Sequence, residues 1–143
     1  MKRIIFALFL LVSTFGMRAV LADPVAVIVN SANNQNLSME DVKSIYSDKT
    51  ISWQGGGRIA VYNLPVEEEA AELFARKVLG VSASSAAAAE ANRVMSNVSR
   101  NPAQIKRAAL VVSIVAKAPN AIGYVPKDAI EGKSGIRILF TLE

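Results

Sequence analysis

The chain has 143 residues, 16 of them Lys or Arg and 12 Asp or Glu, with neither cysteine nor histidine. Without cysteine there is no disulfide framework, thiol nucleophile or iron–sulfur cluster. Without histidine there is no Ser-His-Asp triad, no imidazole base and no ordinary zinc site. Carboxylate, lysine, tyrosine or serine chemistry remains, or binding without catalysis, and the length suits one domain.

Lys2 and Arg3 precede an apolar run, Ile4 to Met17, that is followed by Arg18 and by Val20-Leu21-Ala22, with a small residue before the cut and a tolerated one two places upstream. This is the layout of a secretory signal peptide cleaved near Ala22. A membrane-spanning helix needs about 20 apolar residues, more than the run offers. The expected organisation is therefore a leader, 1–22, and one domain, 23–143. Lys2, Arg3 and Arg18 leave with the leader, so 13 basic residues face 12 acidic ones. That near-neutral balance gives no electrostatic argument for nucleic acid. Outside the cytoplasm a chain without disulfides depends on its core.

Pro24 to Asn30 (PVAVIVN) reads as a strand buried on both faces. A polar loop, Ser31 to Asn36, follows. Ser38 and Asp41 have the spacing of a capping box, opening a helix with Met39, Val42, Ile45 and Tyr46 on its apolar face. Trp53-Gln54-Gly55-Gly56-Gly57 is a turn, and Arg58 to Tyr62 (RIAVY) a second strand. Pro65 is suited to a helix start, with Glu67, Glu68 and Glu69 complementing the dipole and Gly80 ending the helix.

The alanine-rich stretch Ser82 to Asn97 predicts a helix. Asn101-Pro102 predicts the start of another, carrying Ile105, Ala108, Ala109, Val112 and Val115 on one face. Ala121 to Val125 (AIGYV) is a short strand, Lys127 to Glu131 a turn, and Gly135 to Leu142 a last strand. The order β-α-β-α-α-α-β-β predicts an α/β fold with a mixed sheet flanked by helices.

Four segments resemble, in order, the periplasmic phosphate-binding proteins of ABC transporters. They are VAVIVN with LSMEDVKSIYSDKTISW, then RIAVYNLP, ELFARKVLG and APNAIGYVPKDAI. The resemblance covers most of residues 25–131 and implies a type 2 periplasmic-binding-protein fold, a periplasmic location and a phosphate or other small oxyanion as ligand. Two departures stand beside it. Such proteins hold the anion between two lobes, and residues 23–143 match one lobe. At the helix start after Tyr62 the family places a Ser-Gly-Thr-type turn that grips the anion; here Asn63-Leu64-Pro65-Val66-Glu67-Glu68-Glu69 stands instead. Pro65 removes a donor, and a charge pair about 6 Å apart at an effective dielectric near 20 repels by about 3 kcal/mol.

The candidate ligand-binding residues are Asn30 and Ser31 at the end of the first strand, Asn63 at the end of the second, and Arg100 between two helices. Strand ends are where open α/β sheets bind ligands; the plainer reading of the Asn-rich loop is turn geometry. Trp53 reads as a cap on the core. Consecutive helical residues point about 100° apart, so Glu67, Glu68 and Glu69 do not converge on a metal. Tyr124 and Lys127 lack neighbours that would make them an acid–base pair, and the expectation is a protein without catalytic activity or cofactor.

Two functional classes follow. One is an extracytoplasmic phosphate- or oxyanion-binding module of ABC-type phosphate uptake, its site completed by a second copy in a homodimer. The other is an interaction or sensor-partner module of an envelope membrane protein that kept the fold and lost the anion.

Overall fold

A computed structural model describes residues 23–143, and the expected leader, 1–22, lies outside the described residues. Strand β1, Val25–Asn30, is buried along its whole length because it has strands on both sides. It pairs antiparallel with β4, Ala121–Pro126, and antiparallel with β5, Ile136–Leu142. Beyond β4 lie β2, Ala60–Asn63, and the two-residue edge strand β3, Gln104–Ile105, both parallel to their neighbours. The five-stranded order is β3-β2-β4-β1-β5, the mixed sheet that the sequence order predicts.

Helix α1, Met39–Tyr46, opens with the expected capping box: the Ser38 hydroxyl accepts from the Asp41 amide, and the Asp41 carboxylate accepts from the Ser38 amide at 2.8 Å. Val42, Ile45 and Tyr46 are buried, whereas Met39 at the first turn is exposed. Helix α2, Glu69–Phe74, continues into a π-helical turn, Ala75–Leu79, which Gly80 ends in the left-handed conformation. Helix α3 is Ala83–Met95, with Ser82 as its cap, and α4 is Ala108–Lys117.

Helices cover both faces of the sheet, and two consecutive residues of β4 show how. Gly123 faces Val111 and Val115 of α4. Tyr124, pointing the other way as strand alternation requires, stacks on Phe74 of α2 at 3.9 Å between ring centroids and 3° between planes. Tyr46 of α1 meets Phe74 edge-on at 4.7 Å, closing an aromatic cluster under the sheet. Burying each such side chain contributes about 2 kcal/mol.

The second strand, read as Arg58 to Tyr62, runs over Ala60–Asn63, and two helix starts differ from the sequence reading. Pro65 does not begin a helix: residues 65–68 form a turn closed by the Glu68 amide on the Pro65 carbonyl, and α2 starts four residues later. Nor does Pro102 begin α4. The amides of Arg100 and Asn101 go to the Asp48 carboxylate, that of Ala103 to Glu90, and Gln104–Ile105 joins the edge of β2, so α4 starts at Ala108. Pairing of Gln104 and Ile105 with β2, continued by the Lys106 amide on the Asn63 carbonyl, holds the chain extended there, and Ile105 is 63% exposed rather than in the core.

Candidate functional site

The carboxyl end of β2 opens into a cavity of about 330 Å³. Phe74 and Tyr124 line its inner side, Leu64 and Ala75 also line it, and alanines of α3 form a wall. Alanine along α3 leaves room that larger side chains would fill. Towards solvent the cavity meets Val94, Met95 and Ile105, all exposed apolar side chains.

Three polar groups reach this space: Asn63, Tyr124 and Glu90. The Tyr124 hydroxyl donates to Asn63 Oδ1 and accepts from the Leu64 amide at 3.3 Å. The same Asn63 oxygen accepts from the Leu64 amide at 3.1 Å, so the strand end is pinned twice. Burial pushes the Tyr124 hydroxyl well above the ordinary phenol range, partly offset by the Leu64 amide and reinforced by the negative charges of Glu68 and Glu90. Tyr46 is raised in the same way, chiefly by burial, and donates to the Tyr62 carbonyl at 2.6 Å. Both phenols are neutral structural groups at physiological pH. Glu90 Oε1 accepts from the Ala103 amide at 2.6 Å, which ties α3 to the segment before β3. Among the described residues no cluster of three or more acidic side chains is placed to hold a metal ion.

The four residues singled out from the sequence do not meet. Asn30 is buried, with Nδ2 donating to the Val115 carbonyl at 2.8 Å and Oδ1 accepting from the Ala32 amide at 2.9 Å. Its side chain thus anchors α4 and closes a turn. Ser31 is exposed beside it, its amide donating to the Gly135 carbonyl. Extending the strand registers, Asn30 is level with Ala121 and Asn63 with Tyr124, three rungs and about 10 Å apart along the strands. Arg100 lies towards the start of β2, where its guanidinium donates to the carbonyls of Asp48 and Lys49 at 3.1 and 3.0 Å. Its neighbour Asn101 donates to the Ile59 carbonyl. Of the four, Asn63 alone lines the cavity.

The sequence reading passed over Glu90. Its signal was present: it is the single acid in the alanine-rich stretch Ser82 to Asn97. Tyr124 was weighed with Lys127 as a proton-transfer pair, but its hydroxyl bonds to Asn63 and the exposed Lys127 makes its backbone bond to Pro24.

No protein-family model matches the sequence, and no curated protein matches it. Solved structures do. An ABC-type phosphate transport receptor from Vibrio cholerae aligns over 81% of this chain and 45% of its own, with 16% identity and a TM-score of 0.52. A protein from Planctomyces limnophilus described as a possible phosphate binding protein aligns over 81% and 40%, with 16% identity and a TM-score of 0.61. A protein from Clostridium perfringens, described as a phosphate ABC transporter substrate-binding protein and solved with bound phosphate, aligns over 84% and 54%, with 19% identity and a TM-score of 0.55. The chain spans about half the length of these structures. The likeness establishes the fold: the described residues have an α/β architecture shared with these three structures.

Proposed function

We propose that this protein is an extracytoplasmic, non-catalytic binding module of the cell envelope, associated with ABC-type phosphate uptake and directed at phosphate or another small oxyanion. The observation that carries this reading is the strand-and-helix frame shared with three phosphate-binding structures over four-fifths of the chain. The leader-like segment 1–22 supports export to the periplasm. In this reading the anion is held between this surface and a second one, such as another copy in a homodimer or a membrane-protein partner. Asn63 is the strand-end residue best placed to serve such a half-site. Asn30, Ser31 and Arg100 contribute only where the second surface reaches their end of the sheet.

A second reading has its own observation. Among the described residues Glu90 is the one charged side chain lining the cavity, and Glu67, Glu68 and Glu69 stand at the start of α2. That arrangement favours an interaction module that kept the fold without the anion grip. Thermal unfolding of the purified, processed protein in 1 mM phosphate against chloride of equal ionic strength separates the two. A dissociation constant of about 1 μM stabilises by about 4 kcal/mol at that concentration, a midpoint rise of about 10 °C or more for a domain of this size. An unchanged midpoint rejects transporter-grade phosphate binding and leaves the interaction reading.

A further inference from the structure

We propose that the cavity between α2, α3 and the ends of β2 and β4 binds a small, mostly apolar molecule that carries a cationic amine. The proposal assigns Asn63 and its cavity to a different ligand chemistry, so it competes with an anion half-site at Asn63 and leaves the oxyanion reading open elsewhere on the sheet. Its basis is the pairing of an apolar interior with a single charge. Leu64, Phe74 and Ala75 give the interior carbon surface, and its volume of about 330 Å³ lies at the lower end of the range for small-molecule sites.

The charge is Glu90. Its Oε1 is fixed by the Ala103 amide, and Oε2 has no protein donor among the described residues. Among the described residues no lysine or arginine lines the cavity. Burial pushes the hydroxyls of Tyr124 and Tyr46 upward, and the charge of Glu90 adds to it. An anion entering this space meets a fixed negative charge in apolar surroundings, whereas an ammonium group there gains a charge-assisted hydrogen bond. Asn63 Nδ2 makes no protein hydrogen bond among the described residues, so it can donate to a neutral acceptor on the same ligand.

Hexylamine, hexanoate, ammonium chloride and inorganic phosphate are the probes, titrated into the processed protein and followed by amide NMR. Hexylamine is expected to shift the Ala103, Leu64 and Asn63 signals in a saturable way. Hexanoate, with the same chain and the opposite charge, binds at least about tenfold more weakly, as the loss of one charge-assisted bond requires. Glu90→Gln keeps an acceptor for Ala103 and lowers hexylamine affinity about tenfold. Ala91→Leu places a larger side chain from an exposed helix position into the cavity and abolishes hexylamine binding without unfolding the protein. Equal binding of hexanoate, ammonium chloride acting as well as hexylamine, no saturable shift with hexylamine, or binding unchanged by Ala91→Leu each overturns the proposal. The phosphate arm bears on the oxyanion reading alone: phosphate shifts with no hexylamine shifts reject the amine site and keep the other.

Discussion

The Tyr124 hydroxyl donates to Asn63 Oδ1, joining the fourth residue of β4 to the last residue of β2. Asn63 is the sequence candidate that the fold brings to a cavity, and Tyr124 is the side chain that fixes its orientation. Tyr124→Phe keeps the ring on Phe74 and removes the hydroxyl. The expected loss is about 1 kcal/mol, the net worth of one buried hydrogen bond. Tyr124→Ala also empties the aromatic cluster and is expected to cost about 3–5 kcal/mol. Urea denaturation of the two variants measures both, and equal losses would show that the hydroxyl rather than the ring carries the contribution.

Alkali is expected to unfold the protein through its buried phenols. Both Tyr46 and Tyr124 have hydroxyls raised above 10 by burial, so the native state keeps its protons where the unfolded chain gives them up. Stability from these groups is complete below pH 10 and falls as pH rises above it, by about 1.4 kcal/mol per pH unit for each phenol. The double variant Tyr46→Phe, Tyr124→Phe is expected to have a flatter stability curve between pH 10 and 12. A slope unchanged from the parent would assign alkaline unfolding to other groups.

Gly123 is required for a close approach rather than for a turn. A Cβ built there stands 2.5 Å from Val111 Cγ1, inside van der Waals contact. Gly123→Ala is therefore expected to destabilise by about 1–3 kcal/mol through overpacking. Adding Val111→Ala removes the clashing methyl, so the double variant should lose less than the sum of the two single changes, a coupling that a thermodynamic cycle reads directly.

Asn30 provides a test of role as well as stability. Asn30→Ala leaves the Val115 carbonyl and the Ala32 amide without their partners, and a loss of about 1–3 kcal/mol is expected. Any change in phosphate affinity would then follow the loss of fold. Weakened phosphate binding at unaltered stability would instead make Asn30 a direct ligand.

Much of the fold is legible in the residues. The unbroken run VAVIVN describes a strand with neighbours on both sides, and β1 has them. Ser38 and Asp41 mark the start of α1 because a capping box is satisfied within four residues. Gly55, Gly56 and Gly57 all take positive φ angles, at 92°, 105° and 93°, as a turn of three glycines suggests. These features are local, so sequence alone determines them.

The tertiary structure decided the rest. Pro102 looks like a helix start in sequence, but Gln104 and Ile105 pair with β2 and the Lys106 amide donates to the Asn63 carbonyl, partners from elsewhere in the chain. Asn30 and Asn63 both end strands and look equivalent in sequence. Because β1 runs antiparallel to β4 while β2 runs parallel to it, the two fall at different levels of the sheet. Glu90 acquires a cavity only through the packing of α3 over the end of β2. Strand direction and long-range hydrogen bonding are set by the whole chain's burial, and no local residue pattern encodes them.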